Sequence, residues 1–175
     1  MRTSLKLKRA SEDHMKPCAK KVWVTVLAVL IVITLCVIFG NSLKGPDESK
    51  QQSDAVGDLL RPIIDPEEKL SEEEFSFLVR KSGHFIEYAI LGVECALLAF
   101  ILCGRVTPLG VVCPAFGCLL MADVDEYIQS FTERGSKVAD VFIDLGGAVT
   151  GIAFGFVLIY AVRYIHRRKN RRVEE

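Results

Sequence analysis

The sequence lacks the short motifs that mark the common nucleotide-dependent and hydrolytic enzymes. It contains neither a GxxxxGK[ST] phosphate-binding loop nor a GxSxG nucleophile motif. It also lacks a net charge, because 22 Lys and Arg balance 22 Asp and Glu. The charges are nevertheless segregated into a basic N-terminus, an acidic stretch over residues 46–74 and a basic C-terminus. This pattern indicates a membrane partner and no nucleic acid.

No two cysteines have the CxxC spacing of a redox or metal motif, although the chain has six cysteines. Five of them lie in or beside apolar runs: Cys36, Cys95, Cys103, Cys113 and Cys118. Free cysteine commonly behaves as a small buried apolar residue. We therefore predict that these cysteines are buried, and we propose no thiol chemistry.

Long apolar runs are what the sequence has in abundance. The first, residues 22–39, approaches the roughly 20 residues that a helix needs to cross a bilayer. A cleaved signal peptide is the alternative, but the run is long and no small-x-small site precedes Gly40. Further runs cover residues 84–103, 109–122 and 138–164. The run 109–122 is short and contains Pro114. These runs predict an all-α, polytopic membrane protein with about four transmembrane helices.

The lysines and arginines predict the orientation. They flank the first and last runs, and short flanks rich in these residues stay in the cytoplasm, so both termini are expected inside. The predicted organisation is a basic cytoplasmic N-terminus (1–21), a first transmembrane helix (22–39), an acidic extracytoplasmic loop (40–80), a core with three transmembrane helices (81–162) and a basic cytoplasmic tail (163–175).

The acidic loop is rich in Asp, Glu, Ser, Pro and Gly, which predicts a mostly flexible segment. Its last part is an exception. Ser71 followed three residues later by Glu74 forms a capping box, which predicts that a helix begins there and turns into the membrane near Gly83.

Charged side chains within the spans need an explanation, since each costs about 2.5–3.5 kcal/mol on insertion scales. His84, Glu87 and Glu94 lie on one stripe of the second span. On the last span, one stripe carries two aspartates followed by three glycines at small-xxx-small spacing: Asp140, Asp144, Gly147, Gly151 and Gly155. The glycines predict close packing against a neighbouring helix, with the aspartates at the outer end of that seam.

The turn between the third and fourth spans is dense in polar groups. Asp125, Glu126 and Gln129 have helical spacing and are expected to extend the third span. Lys81 and Arg134 are candidate cationic partners for the carboxylates or for an anionic head group, or else interfacial anchors. Three aromatic residues are expected in the interfacial belt: Tyr88, Tyr127 and Phe131.

Four blocks of this sequence together resemble the VanZ-like family of membrane proteins. They are Lys81–Tyr88 (KSGHFIEY), Asp125–Phe131 (DEYIQSF), Arg134–Ser136 (RGS) and the glycine helix from Asp140 to Gly151. The resemblance covers roughly residues 81–156 in the family's order. Two positions depart from it: Asp144 stands where the family pattern has Asn, and Glu94 is not part of the pattern.

The resemblance implies a multi-pass protein of a bacterial cell membrane, with an envelope role that includes low-level resistance to the glycopeptide teicoplanin. A second hypothesis is a membrane enzyme acting on a lipid-linked or phosphorylated envelope substrate through a metal or acid/base site. A divalent metal such as Mg²⁺ or Mn²⁺ would suit its His and carboxylates. A third is a proton or ion pathway along Glu87 and Glu94. The candidate site comprises Lys81, His84, Glu87, Asp125, Glu126, Gln129, Arg134, Asp140 and Asp144.

Overall fold

The computed structural model describes residues 17–132 and 138–173, which form five α-helices. They are α1 (Pro17–Ser42), α2 (Pro46–Ile64), α3 (Glu72–Cys103), α4 (Pro108–Ser130) and α5 (Val138–Val173). All except α2 are long and apolar enough to cross a membrane. The prediction of an all-α protein with four candidate spans is confirmed.

Helix α3 is the centre of the bundle, because each of the other four helices packs against it. Its largest interface is with α5, which also contacts α4. Helix α1 packs against α3 and α4. The first span is therefore an integral part of the bundle.

The seam between α3 and α5 is close enough for backbone to touch backbone. A Cβ added to Gly147 would overlap the carbonyl oxygen of Phe85, and one added to Gly151 would overlap that of Ala89. The approach is reciprocal, since a Cβ on Gly92 of α3 would overlap the carbonyl oxygen of Ala148. Small residues at helical spacing permit such contacts, which supply van der Waals energy where no hydrophobic effect operates.

All four spanning helices are longer than their apolar runs. Helix α1 extends the predicted residues 22–39 to Pro17–Ser42. Helix α4 has 23 residues, about 35 Å by helical rise, so the short apolar run 109–122 lies within a longer helix. Its polar end, which includes Asp125 and Gln129, continues the helix to Ser130, as predicted.

The acidic segment after α1 contains a helix, so the prediction of a mostly flexible loop is wrong for Pro46–Ile64. Proline in the first turn, with Asp47 and Glu48, favours helix initiation. Small residues at every fourth position, Ser49, Ser53 and Gly57, form the buried face of α2. The capping box of Ser71 and Glu74 is present at the start of α3, as predicted.

The two ends of the bundle differ in character. At one end, here called the basic end, Lys20 Nζ donates to the carbonyl of Leu102 (3.1 Å) and Arg163 donates to that of Gly104 (3.2 Å). The opposite end, here called the polar end, contains the hydrogen-bonding groups described below. Because α1, α3, α4 and α5 run alternately between these ends, both flanks of the four spans lie at the basic end.

Side-chain burial corrects two predictions. Cys36, Cys103 and Cys113 are exposed on the protein surface, whereas Cys118 is buried, so most of these cysteines are not core residues. Tyr127 and Phe131 are exposed and form a T-shaped pair, as interfacial aromatic residues can. Tyr88 is fully buried and does not belong to an aromatic belt, because it faces the interior of the bundle.

Candidate functional site

Asp125 of α4 is the centre of the polar end. Its side chain is fully buried. Ser42 Oγ, at the end of α1, donates to one of its carboxylate oxygens (2.5 Å), and Gln129 Nε2 donates to the other (2.9 Å). Gln129 lies one turn further along α4 and is also buried, as is Glu126 beside Asp125. Two different helices thus hold this carboxylate in a fixed orientation.

His84 of α3 and Asp144 of α5 complete the group. His84 Nδ1 lies 3.8 Å from Asp125 Oδ2 and 3.7 Å from Asp144 Oδ1. One ligand atom from each of the three residues lies within 4.8 Å of the others. We call Ser42, His84, Asp125, Gln129 and Asp144 the polar cluster.

Asp144 is the most unusual member of the polar cluster. Only 1% of the residue is exposed, and neither carboxylate oxygen has a hydrogen-bond partner within the part of the chain that the structure describes. The hydroxyl of the buried Tyr88 also has no hydrogen-bond partner among the described residues. Buried polar groups are nearly always hydrogen-bonded, and an unpaired one costs about 1–3 kcal/mol or more if it is charged. The unpaired groups of Asp144 and Tyr88 therefore lower the stability of the fold, and packing does not explain their presence.

A pocket of about 130 Å³ lies next to the cluster, between α2 and α3. Polar groups from three helices line it: Asn41 from α1, Ser49, Gln52 and Ser53 from α2, and Arg80, His84 and Glu87 from α3. Asn41 Nδ2 donates to Glu87 Oε1 (2.6 Å), and Lys44 bridges Asn41 and Gln52. His84 belongs to both the pocket and the polar cluster.

Lys81 and Asp140 form an ion pair at the edge of the site, and both side chains are largely buried. This pair joins the start of α5 to α3, about one turn before His84 and Asp144 in their respective helices. Lys81 thus lies beside a carboxylate, the first of the two roles considered for it. Arg134, the other candidate cation, lies outside the described residues.

Glu94 is separate from the polar cluster. It lies ten residues beyond His84, about 15 Å along α3 by helical rise. Its carboxylate accepts a hydrogen bond from Thr34 of α1 (3.1 Å), as Glu87 does from Asn41. Both carboxylates therefore have a packing role between α1 and α3, and we do not carry the ion-pathway hypothesis forward.

Three α1 residues were missing from the sequence-based site, which assumed only the last three spans: Thr34, Asn41 and Ser42. One signal could have found two of them. Asn41 and Ser42 are the first strongly polar residues after the apolar run, so they terminate the first span at the same membrane depth as the other outer ends. Their partners, however, are 46 and 83 residues away in the sequence.

Comparison with protein families confirms the resemblance to the VanZ-like family. The family model described as VanZ/LLP1 matches residues 26–162. The chain belongs to the VanZ/LLP1 family. No curated protein and no solved structure matches it.

The VanZ/LLP1 match is wider than the resemblance noted in the sequence, which began at Lys81. It includes most of α1 and all of α2. The family unit therefore extends beyond residues 81–156 on both sides. Helix α1 supplies hydrogen-bond donors to both Glu87 and Asp125, which gives its inclusion in the family unit a structural reason.

Proposed function

We propose that this VanZ/LLP1-family protein spans a bacterial cell membrane with both termini in the cytoplasm and the polar end outside. The flanking segments 1–21 and 163–175 are basic, and Lys20 and Arg163 lie at the same end of the bundle, which supports this orientation. Residues 40–80 are then extracytoplasmic, and residues 22–39 and 81–162 carry the membrane-spanning core.

We further propose that the polar end acts at the outer leaflet and lowers susceptibility to teicoplanin-type glycopeptides. The observation that carries this proposal is the pocket that α2 covers. It offers Arg80 and His84 to an anionic head group, while Asn41 and Glu87 offer hydrogen bonds. A lipid-linked envelope precursor or the glycopeptide itself has chemistry of this kind. Binding of either molecule in the pocket would change what the drug meets at the membrane.

Drug susceptibility of a sensitive Gram-positive host tests this proposal. The host expresses the wild-type chain, Glu87→Gln, Asp125→Asn or the matched control Glu94→Gln, with equal amounts in the membrane by immunoblot. The wild type and the control should raise teicoplanin tolerance, whereas the two site variants should not. Unchanged tolerance with the wild type present would end the glycopeptide proposal.

The orientation has its own test, which does not depend on any drug. In a cysteine-free background, Glu67→Cys places a thiol in the turn between α2 and α3, and a restored Cys103 places one at the basic end. A membrane-impermeant maleimide added to intact cells should label the first and not the second. The reverse pattern would show that the polar end faces the cytoplasm.

A second candidate is a membrane enzyme acting on a lipid-linked or phosphorylated envelope substrate. It is favoured by the convergence of His84, Asp125 and Asp144, residue types that perform acid/base work, beside a pocket open to a ligand. Purified protein should then change a radiolabelled lipid-linked precursor in a way that His84→Gln abolishes. If the wild type leaves every such substrate unchanged, the enzymatic candidate is lost.

A further inference from the structure

Three ligating side chains of the polar cluster come from three different helices and face one point. They are the imidazole of His84 and the carboxylates of Asp125 and Asp144. Asp125 and Asp144 are almost completely buried, and His84 is largely so. A low-dielectric environment makes charged carboxylates this close together costly, and neither oxygen of Asp144 has a hydrogen-bond partner among the described residues.

A histidine ion pair accounts poorly for the geometry. Charge-assisted hydrogen bonds between nitrogen and carboxylate oxygen are about 2.7–2.9 Å long. His84 Nδ1 instead lies 3.8 Å from Asp125 and 3.7 Å from Asp144, nearly equidistant from the two. A protonated imidazole would also balance only one of the two charges. Both distances are therefore too long for a charge-assisted hydrogen bond between His84 Nδ1 and either carboxylate.

We infer that His84, Asp125 and Asp144 bind a divalent metal ion. Atoms that ligate one metal at about 2.0–2.2 Å are about 3–3.6 Å apart in tetrahedral or octahedral geometry. The separations of 3.7 and 3.8 Å from His84 Nδ1 require only a small contraction to reach this range, and the three ligand atoms lie within 4.8 Å of one another. A 2+ ion with a neutral imidazole would balance the charges of the Asp125 and Asp144 carboxylates.

The surroundings have the features that support metal ligands. Ligating carboxylates are usually oriented by hydrogen bonds from outside the first shell. Asp125 receives such bonds from Ser42 on Oδ1 and from Gln129 on Oδ2, the oxygen that lies 3.8 Å from His84 Nδ1. Asp144, whose two oxygens have no hydrogen-bond partner among the described residues, has its whole bonding capacity available to the ion.

The donor set selects the class of ion. Two carboxylates favour the hard cations Mg²⁺ and Mn²⁺, and an imidazole favours the later first-row metals. Mn²⁺ accepts both, so it is the expected occupant, with Zn²⁺ and Mg²⁺ as competitors. Because His84 also lines the pocket, an anionic ligand there would lie next to the ion.

The test uses the purified full chain in a neutral detergent, stripped of metal with a chelator. Mn²⁺ is titrated, and free Mn²⁺ is followed by electron paramagnetic resonance. The wild type and Glu94→Gln should each bind one ion per chain, since Glu94 is a buried carboxylate outside the cluster. Asp144→Asn should weaken binding by more than the roughly 10–100-fold typical of a residue that only hydrogen-bonds to a ligand.

Thermal unfolding of the same samples separates metal binding from a folding defect. Mn²⁺ should raise the unfolding midpoint of the wild type and of Glu94→Gln but not of Asp144→Asn. Without metal, Asp144→Asn should unfold at the wild-type midpoint or higher, because it removes an unpaired buried carboxylate.

Failure of the wild type to bind Mn²⁺, Zn²⁺ or Mg²⁺ would overturn the inference whatever the variants do. It would indicate that protons alone neutralise the cluster. Wild-type affinity in both Asp144→Asn and His84→Gln would overturn it equally. The metal site does not rest on the glycopeptide proposal, since binding is measured on purified protein and tolerance in cells, so either result can fail alone.

Discussion

The seam between α3 and α5 makes a sharp prediction from two adjacent glycines. A Cβ on Gly147 would overlap the backbone oxygen of Phe85, whereas a Cβ on Gly146 would meet only the Phe85 ring edge at an ordinary 3.7 Å. Backbone cannot rotate away as a side chain can. Gly147→Ala should therefore force the two helices apart, while Gly146→Ala should fit.

The magnitude follows from two opposing effects. Overpacking typically costs about 1–3 kcal/mol. Replacing a mid-helix glycine by alanine gains about 0.5–1 kcal/mol from reduced backbone entropy. That gain is common to Gly147→Ala and Gly146→Ala, so the difference between their free energies of unfolding isolates the seam. We expect Gly147→Ala to be less stable than Gly146→Ala by about 1–3 kcal/mol.

Equilibrium unfolding of detergent-solubilised protein by added SDS, followed by circular dichroism, measures this difference. The same experiment on other seam positions should give a graded series. Gly151→Ala should resemble Gly147→Ala, because its Cβ would overlap the carbonyl of Ala89. Gly155→Ala should cost less, since its nearest neighbour is the Ala96 methyl at 3.1 Å. Equal stability of Gly146→Ala and Gly147→Ala would refute the close backbone contact.

Three further predictions concern the polar end and the turn between α2 and α3. Ser42→Ala removes a donor to the buried Asp125 and should lower the free energy of unfolding by about 1–3 kcal/mol in the same SDS titration. Ser71→Ala removes the helix cap of α3 and should lower the free energy of unfolding by about 0.5–2 kcal/mol. The control Ser130→Ala, at an exposed serine, should change it little. Backbone N–H groups, chiefly that of Leu70, lower the pKa of Asp65. The stabilising effect of the Asp65 carboxylate is therefore present above the ordinary aspartate pKa and is lost as the pH falls through the lowered pKa of Asp65. Hydrogen exchange of residues 65–70 should show this loss. Asp65→Asn should abolish the pH dependence.

The four spans were predictable because a bilayer requires about 20 apolar residues for each crossing, and that signal is local. The capping box of Ser71 and Glu74 was predictable for the same reason. Helix α2 was missed because its composition is typical of a flexible segment. Its order comes from a tertiary contact: Gly57 packs against the Phe75 ring of α3, which no local pattern shows.

The polar cluster was only partly predictable, and its physical basis explains which part. Residues whose charge is costly in a membrane, such as His84 and Asp144, stand out from their apolar surroundings in the sequence. Ser42 does not stand out, because an uncharged serine at the end of a span costs little free energy wherever it lies. Its importance arises only when α1 and α4 pack together and bring its hydroxyl to Asp125. Sequence therefore identifies the charges that need compensation, and the bundle identifies what surrounds them. Asp144 is the position where the two disagree most, since it is a costly charge for which the described bundle provides no hydrogen bond. A bound cation would reconcile them, so comparing Mn²⁺ binding by the wild type and by Asp144→Asn tests whether the site compensates this charge.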